Sequence, residues 1–343
     1  MTQRSPVRIG PFSRLVSWRD AAIACILIVL MIGLVLAALS FGERDIPLGR
    51  VLAAFLPGSE ALDRMVVVEW RAPRALGAAV FGACLGVSGA LFQTLTRNPL
   101  GSPDIIGLNT GAYTGVLAVI WLGGTGYAAF AAGAVTGGLL TAALVYLLAY
   151  SAGLQGFRLI IVGIAVSAFL SSANTWFVVK ANADEALRAA VWGAGTLNGI
   201  RWPQVLSAGA AAIVVACVLP WLARRISQLE LGEDAARVRG VPAEPVKAIL
   251  VLVGVAFTSL VTAVTGPIAF IALAAPHISR RIRRRTSGFD AVGAALTGAV
   301  LLVGGDLIAQ HALPSSSLPV GAVTVCLGGA YLIWLLFTED RRS

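Results

Sequence analysis

The sequence predicts an all-α, polytopic membrane protein with about ten transmembrane helices and both termini in the cytoplasm. Of its 343 residues, 57% are hydrophobic and 13% are charged, whereas soluble domains carry about 25% charged residues. Its apolar segments approach the ~20 residues that a helix needs to cross a bilayer. Backbone groups in lipid must be hydrogen-bonded within a helix or a closed barrel. Because the apolar runs are long and do not alternate in polarity as barrel strands do, we predict helices.

The first apolar segment is long and has no small-residue cleavage site, so we expect a retained helix and not a signal peptide. The third and eighth apolar segments are short and are flanked by Gly or Pro, so their limits are the least defined. We expect residues 1–20 to be a cytoplasmic tail, 21–338 to be one transmembrane domain and 339–343 to be a second tail. The predicted spans are 21–41, 75–95, 107–122, 127–150, 159–179, 204–223, 247–265, 268–279, 291–310 and 319–338.

The positions of the basic residues predict the orientation, because cytoplasmic loops are rich in Lys and Arg. Placing the N terminus inside assigns 18 of the 26 Lys and Arg residues to the cytoplasmic side and 8 to the outside. The arginine cluster at 280–285 is part of this signal, and such clusters also contact anionic lipid. The formal charge of +9 is therefore a topology signal. Nucleic-acid binding is disfavoured because the basic residues lie in short loops without a stacking platform.

Several kinds of reaction centre are missing from the sequence. There is no G-x-x-x-x-G-K-[ST] phosphate loop, and no carboxylate lies near the middle of a predicted span, where proton-driven carriers place them. Sodium coupling through backbone carbonyls stays compatible with the sequence. Cys25, Cys84, Cys217 and Cys326 lie far apart in apolar spans and have no metal or redox spacing. We therefore predict no catalytic residue, metal site or cofactor in this chain, and energy supplied by a partner.

The segment from Trp70 to Ala112 carries a recognisable pattern, which continues in the later loops. Its positions are Arg71-x-Pro73-Arg74, Gly82 to Gln93, Asn98-Pro99-Leu100, Pro103, Gly107, Leu231-Gly232, Gly240, Gly266-Pro267 and Pro276-His277. This pattern resembles that of the permease subunits of ABC importers for iron–siderophore complexes, haem and cobalamin. Within that family, NPLGSPDIIG resembles permeases for catecholate siderophores of the ferric enterobactin type.

The resemblance implies the fold of a type II ABC importer permease, multi-pass in the bacterial cytoplasmic (inner) membrane. It also implies the partners: a second permease subunit, two ATPase subunits that bind ATP and Mg²⁺, and an extracytoplasmic substrate-binding protein. The sequence does not distinguish a homodimer from a heterodimer, and analogy with catecholate systems favours the heterodimer. The expected substrate is a ferric siderophore. Alternatives are cobalamin or haem in the same machine and, from another class, an ion-coupled secondary carrier.

The cytoplasmic loop 224–247 is the most polar long stretch on the inner side and is predicted to contain a short helix. Acidic residues in its first turn and arginines near its end suit the helix dipole. The resemblance implies a helix that couples the permease to an ATPase subunit, while an ordinary solvated loop is the alternative. The coupling residues are then Leu231, Gly232, Glu233, Asp234, Ala235, Ala236, Arg239 and Gly240.

Arg71 and Arg74 are three residues apart on a predicted helix and share a face at the outer surface. The resemblance implies that they receive carboxylates of the substrate-binding protein, which Arg pairs with bidentately. The alternative is that both extend toward lipid headgroups. Related permeases can carry a third arginine where this chain has Gln310 and His311, which weakens the docking footprint.

The fifth predicted span is rich in hydroxyl groups. Ser167, Ser171 and Asn174 follow i, i+4, i+7 spacing and form one stripe, which indicates either a transport pathway or polar helix packing. Trp192 lies in a segment that in the family is beside the pathway, or it is an interface anchor.

A further set of residues is expected to shape the backbone. Helix-breaking residues follow the second predicted span, and other helix-breaking residues flank the eighth. At the eighth span, a bond from the His277 side chain is expected to hold a helix that is broken near Pro276. The set comprises Asn98, Pro99, Pro103, Gly266, Pro267, Pro276 and His277. Iron ligation by His277 is disfavoured because no second ligand is close in sequence.

Overall fold

The structure is a computed structural model, and it describes residues 4–9, 12–151, 153, 155–283, 288–313 and 317–340. An antiparallel hairpin of β1 (Arg4–Ile9) and β2 (Phe12–Ser17) lies in the predicted N-terminal tail and was not expected from the sequence. The remainder of the described chain is helical. The early helices are α1 (Trp18–Ser40), α2 (Leu48–Ala53), α3 (Ala61–Arg64), a π-helical segment (Met65–Arg71), α4 (Ala72–Thr96), α5 (Leu108–Trp121), α6 (Tyr127–Ala149) and α7 (Gly156–Lys180).

The second half of the chain repeats the alternation of long and short helices. Its helices are α8 (Ala183–Gly193), α9 (Trp202–Ala216), α10 (Leu219–Leu229), α11 (Glu233–Val238), α12 (Ala243–Thr265), α13 (Ile271–Arg283), α14 (Ala291–His311) and α15 (Val320–Asp340).

Each of the ten predicted spans coincides with a helix or a bent helix pair. Among the described residues, six helices are long and apolar enough to cross a membrane, and the α9–α10 pair, bent by 46°, is a seventh candidate. The third and eighth predicted spans are short, as expected, with 14 residues in α5 and 13 in α13. The helical membrane fold is therefore confirmed, whereas the number of ten spans and the side of the termini stay predictions.

Helix α4 forms the centre of the molecule and packs against α12, α13 and α14. In the most apolar stretch of the helix that contains α4, 78% of residues are buried, whereas the buried share of the corresponding stretch is 17% in α1 and in α7. Glycines allow the close approach: a Cβ atom at Gly82 would collide with the backbone of Gly298 on α14, and one at Gly89 with the backbone of Ala272 on α13. Small residues at helix contacts are typical of membrane bundles. The exposed apolar faces of α1 and α7 are then left for lipid or for another subunit.

Side-chain hydrogen bonds reinforce this central packing. Ser88 of α4 donates to the carbonyl of Gly254 on α12 at 2.8 Å, and its hydroxyl is also 2.8 Å from that of Thr258. Near the C-terminal end of α4, the amide of Gln93 donates to the carbonyl of Leu273 on α13 at 3.0 Å. Because both contacts are buried, α4, α12 and α13 are held in one register.

Substitution of Gly82 by alanine tests the close packing of α4 on α14. The added methyl group has no space, so we expect a loss of about 1–3 kcal/mol in the free energy of unfolding, measured by denaturation in detergent micelles. Gly209 of α9 has no atom within 4 Å of its would-be Cβ, so Gly209→Ala is the matched control. Equal stability of the two variants would show that the α4–α14 contact is looser than described here.

Candidate functional site

A cavity of about 400 Å³ lies between α5, α7, the end of α8 and the connection from α12 to α13. This volume is in the range of small-molecule sites, about 300–1,000 Å³. Amide, hydroxyl, aromatic and aliphatic groups form its wall, and none of its lining residues is charged. The lining residues are Asn109, Thr110, Tyr113, Ser171, Asn174, Thr175, Val178, Val179, Gly193 and Pro267.

The structure brings together three of the four pathway candidates. Ser171 and Asn174 line the cavity, and Trp192 stacks on the cavity residue Tyr113, with ring centroids 6.1 Å apart and planes 5° apart. Ser167 does not line the cavity; its hydroxyl donates to the carbonyl of Gly163 at 2.7 Å and packs against Gly107. The predicted stripe is thus a cavity face along only part of its length.

The hydroxyl groups of α7 also have a local explanation. Ser172 and Thr175 donate to the carbonyl four residues earlier, at 3.0 Å in each case, as Ser and Thr commonly do inside apolar helices. Asn174 is only 4% exposed, and its amide donates to the carbonyl of Thr110 on α5 at 3.3 Å. This span therefore takes part in helix packing and lines the cavity, while its role in a transport pathway stays a prediction.

A buried polar network supports the cavity wall from behind, and sequence reasoning did not identify it. The amide of Asn109 donates to one oxygen of Asp104 at 2.6 Å, and the backbone N–H of Phe270 donates to the other at 3.2 Å. The hydroxyl of Thr262 on α12 lies 3.1 Å from the side-chain oxygen of Asn109 and 2.9 Å from the carbonyl of Thr258, so its one proton is shared between these two acceptors. This network joins the α4–α5 connection, α12 and the α12–α13 connection. The one carboxylate of the α4–α5 connection, Asp104, was the only signal of it in the sequence.

The α12–α13 connection is an irregular segment inside the helical body. Gly266 and Phe270 both have left-handed backbone angles, with φ of 72° and 69°, and this conformation is unusual for a residue other than glycine. The carboxylate of Asp104 accepts the N–H of Phe270 at this strained point. Pro267 lies between them on the cavity wall. Irregular backbone at such a place is typical of segments that line a cavity.

The segment after α4 has the structural role expected from its sequence. Arg97 ends the helix in a left-handed conformation with φ of 49°, and the side-chain oxygen of Asn98 accepts the N–H of Leu100 at 2.9 Å, forming an Asx-turn. The carbonyl of Pro103 accepts the N–H of Leu108 at the start of α5. This turn, which includes Pro99, brings the chain back from the end of α4 to the cavity.

The break expected near Pro276 lies elsewhere. Helix α13 runs through Pro276 without interruption, and the break is at residues 266–270. The Nδ1 atom of His277 is hydrogen-bonded to the hydroxyl of Tyr331 on α15, so the histidine connects two helices. Groups of three or more metal-ligating side chains are absent from the described residues.

The predicted coupling segment forms α11, with Gly232 before it at φ of 111° and Gly240 after it at φ of 76°. Ala236 is fully buried against the body of the protein. Leu231 and Val238 are 59% and 89% exposed, so the segment presents apolar side chains outward. The remaining coupling candidates, which are Glu233, Asp234, Ala235 and Arg239, lie on the same short segment.

Electrostatic contacts hold this segment to the helical body. The carboxylate of Glu233 is 2.7 Å from the ammonium group of Lys247, in the second turn of α12. Arg97, after α4, donates to the carbonyl of Leu229 at 3.3 Å. Just before α11, partial desolvation raises the pKa of the Glu230 carboxyl above its usual value, against the opposing effect of a backbone hydrogen bond from Phe289.

Arg71 and Arg74, predicted to lie at the outer surface, have partners within the chain. The guanidinium of Arg71 donates to carbonyls at and just after the end of α1, including that of Leu39 at 2.9 Å. Arg74 forms a bidentate ion pair with Asp306 on α14, at 2.9 and 2.8 Å, and the Asp306 side chain is only 3% exposed. Gln310, in the place of the family's third arginine, donates to the same carboxylate at 2.8 Å. Docking of a partner at these arginines stays a prediction.

Variants of the Arg74–Asp306 pair separate a structural role from docking. Asp306→Ala leaves a partly buried cation without its partner, so we expect a loss of about 3–5 kcal/mol in the free energy of unfolding. Arg74→Met with Asp306→Leu removes both charges and is expected to fold with much smaller loss. Unchanged stability of Asp306→Ala in detergent denaturation would contradict the ion pair. Affinity of the folded double variant for the substrate-binding protein then tests docking.

Comparison with known proteins places the chain among membrane permeases. Residues 27–338 match the FecCD transport family. The chain is 47% identical over 302 residues to the ferric enterobactin transport system permease protein FepG of Escherichia coli (strain K12), covering 88% of this chain and 91% of that protein. It is 32% identical over 311 residues to the vitamin B12 import system permease protein BtuC of Salmonella paratyphi A, covering 89% and 92%.

A solved structure of a metal-chelate type ABC transporter in an inward-facing conformation has the same fold. The TM-score is 0.79 at 22% identity, covering 93% of this chain and 99% of that one.

Proposed function

Because the chain belongs to the FecCD transport family, we propose that it is the permease subunit through which an ATP-driven importer carries a ferric siderophore across the cytoplasmic membrane. The observation that carries this proposal is the cavity of about 400 Å³, walled by hydroxyl, amide and aromatic groups within a multi-pass helical body. Uncharged polar groups offer hydrogen bonds to a polar solute without trapping it by charge. Such a wall suits a passage better than a high-affinity site.

The proposed substrate class is a catecholate siderophore complex of the enterobactin type. The 47% identity to the ferric enterobactin permease, along nearly the whole of both chains, supports it. Cobalamin is the second candidate, since the chain is also 32% identical to the vitamin B12 permease. The stacked Tyr113–Trp192 pair beside the cavity suits the planar faces of either substrate.

The proposed assembly contains this chain, a second permease subunit, two ATPase subunits and an extracytoplasmic substrate-binding protein. We favour a heterodimer of permeases, with the substrate-binding protein docked on the outer surface around Arg71 and Arg74. ATP and Mg²⁺ are bound by the ATPase subunits, and this chain makes and breaks no covalent bond. Its own contribution is a passage that opens to one side of the membrane at a time.

We propose that α11 is the contact with the ATPase. The exposed side chains of Leu231, two residues before α11, and Val238, at its end, suit a groove on a partner protein. Closure of the ATPase subunits would move α11 and, with it, the helices that surround the cavity.

Uptake of radiolabelled iron, supplied as a ferric catecholate siderophore to cells lacking this gene, tests the proposal. Wild type is expected to restore uptake and Gly232→Arg to abolish it, because the bulky cation blocks the ATPase contact. Gly123 also has a positive φ and open space around it, so Gly123→Arg is the matched control for strain and is expected to transport normally.

Three other results have distinct meanings in this assay. If the cells take up cobalamin or haem and not the ferric catecholate, the proposal of an importer subunit stands and the proposed substrate class is wrong. Normal transport by Gly232→Arg would place the ATPase contact outside α11. Failure of both arginine variants to insert in the membrane, seen by immunoblotting of membrane fractions, would assign their loss of transport to folding.

A further inference from the structure

Helix α12 connects the two functional regions directly. Its second turn contains Lys247, which contacts α11, and its last turn contains Thr262, which contacts the cavity residue Asn109. The 15 residue steps from Lys247 to Thr262 span about 22 Å at 1.5 Å per residue. The helix is uninterrupted from Ala243 to Thr265, so a displacement at one end is carried to the other.

Lys247 is unusual because it is an almost fully buried cation. Its side chain is 10% exposed, and its ammonium group lies 2.7 Å from a carboxylate oxygen of Glu233 and 3.0 Å from one of Glu244. Glu244 belongs to the first turn of α12 itself, whereas Glu233 belongs to α11. The Glu233 side chain is 36% exposed, so the pair is partly buried, and a partly buried ion pair is screened less than one at the surface. The Glu233–Lys247 contact therefore joins α11 to α12.

The far end of α12 is equally well connected. Thr262 bonds to Asn109, which bonds to Asp104, and the carboxylate of Asp104 accepts the N–H of the strained residue Phe270. These contacts fix two parts of the cavity wall, the start of α5 and the α12–α13 connection. The contacts of Ser88 with the middle of α12 join α4 to the same unit.

We propose that Lys247 is the positioning residue that transmits the movement of α11 through α12 to the cavity wall. This inference rests on the proposed function, in which α11 contacts the ATPase. Lys247 itself contacts neither the ATPase nor the substrate. When α11 moves, the ion pair with Glu233 pulls the cytoplasmic end of α12, and Thr262 and Asn109 shift at the cavity.

The test uses the complete importer in proteoliposomes, with ATP hydrolysis and ferric siderophore uptake measured in the same vesicles. Lys247→Met keeps the length of the side chain and removes its charge. We expect hydrolysis near the wild-type rate and a ratio of substrate transported to ATP hydrolysed that falls about tenfold, within the range of measured coupling between sites. Lys247→Arg is expected to retain most of the ratio. Lys180→Met, which removes the other lysine of the chain, is expected to leave it unchanged.

A double-mutant cycle identifies the partner. Glu233→Gln leaves the Lys247–Glu244 pair in place. It should lower the ratio of substrate transported to ATP hydrolysed as Lys247→Met does. The double variant should be no worse than the single ones, since both break one contact. Three results would each overturn the inference. The first is a wild-type ratio of substrate transported to ATP hydrolysed in Lys247→Met, and the second is a proportional fall of hydrolysis and uptake together. The third is a double variant in which the losses of the two single variants multiply. Vesicles in which the wild-type importer hydrolyses ATP without any uptake would instead overturn the proposed function.

Discussion

Along α4, glycines bring the helix backbone into direct contact with α14 and α13, and the positions of the other elements follow from that contact. With no side chains between the backbones, the three helices have little freedom to slide. Ser88 then fixes α12 against α4, and the Arg74–Asp306 pair joins the first turn of α4 to α14. Because α12 is fixed in this way, Thr262 meets Asn109, and the wall of the cavity is in place.

The second constraint is the need to satisfy polar backbone groups away from water. The chain is irregular at residues 98–107 and 266–270, both close to the cavity. Asn98 satisfies the backbone in the first segment, and the carboxylate of Asp104 connects the first segment to the second. The cavity wall combines hydroxyl and amide groups with aromatic and aliphatic side chains, and none of its lining residues is charged. The bonds that stabilise the fold thus also shape the proposed passage.

Much of the architecture could be predicted from the sequence, because hydrophobicity and breakers report on each segment separately. All ten predicted spans coincide with helices or a bent helix pair. The spacing of Ser167, Ser171 and Asn174 predicts one helix face but not how much of that face lines a cavity, and only Ser171 and Asn174 line the one described. The pairs Arg74–Asp306 and Glu233–Lys247 join residues of different helices, and Asp104 meets Phe270 across the sequence. Tertiary packing creates these contacts, and no local pattern marks them. The break at residues 266–270 lies at Gly266 and Pro267, which the sequence marked as breakers, and not at Pro276. The N-terminal hairpin joins neighbouring segments and was not expected from the sequence.

The central claim is that the cavity at Ser171 is part of a passage whose access changes with the state of the ATPase. The most direct measurement is labelling of Ser171→Cys by a membrane-impermeant thiol reagent, in the assembled importer after replacement of the four native cysteines. The account predicts that the labelling rate from one side differs severalfold between nucleotide-free and ATP-bound states, while Gly123→Cys in an exposed turn reacts equally in both. The same labelling rate at position 171 in both states would contradict the account.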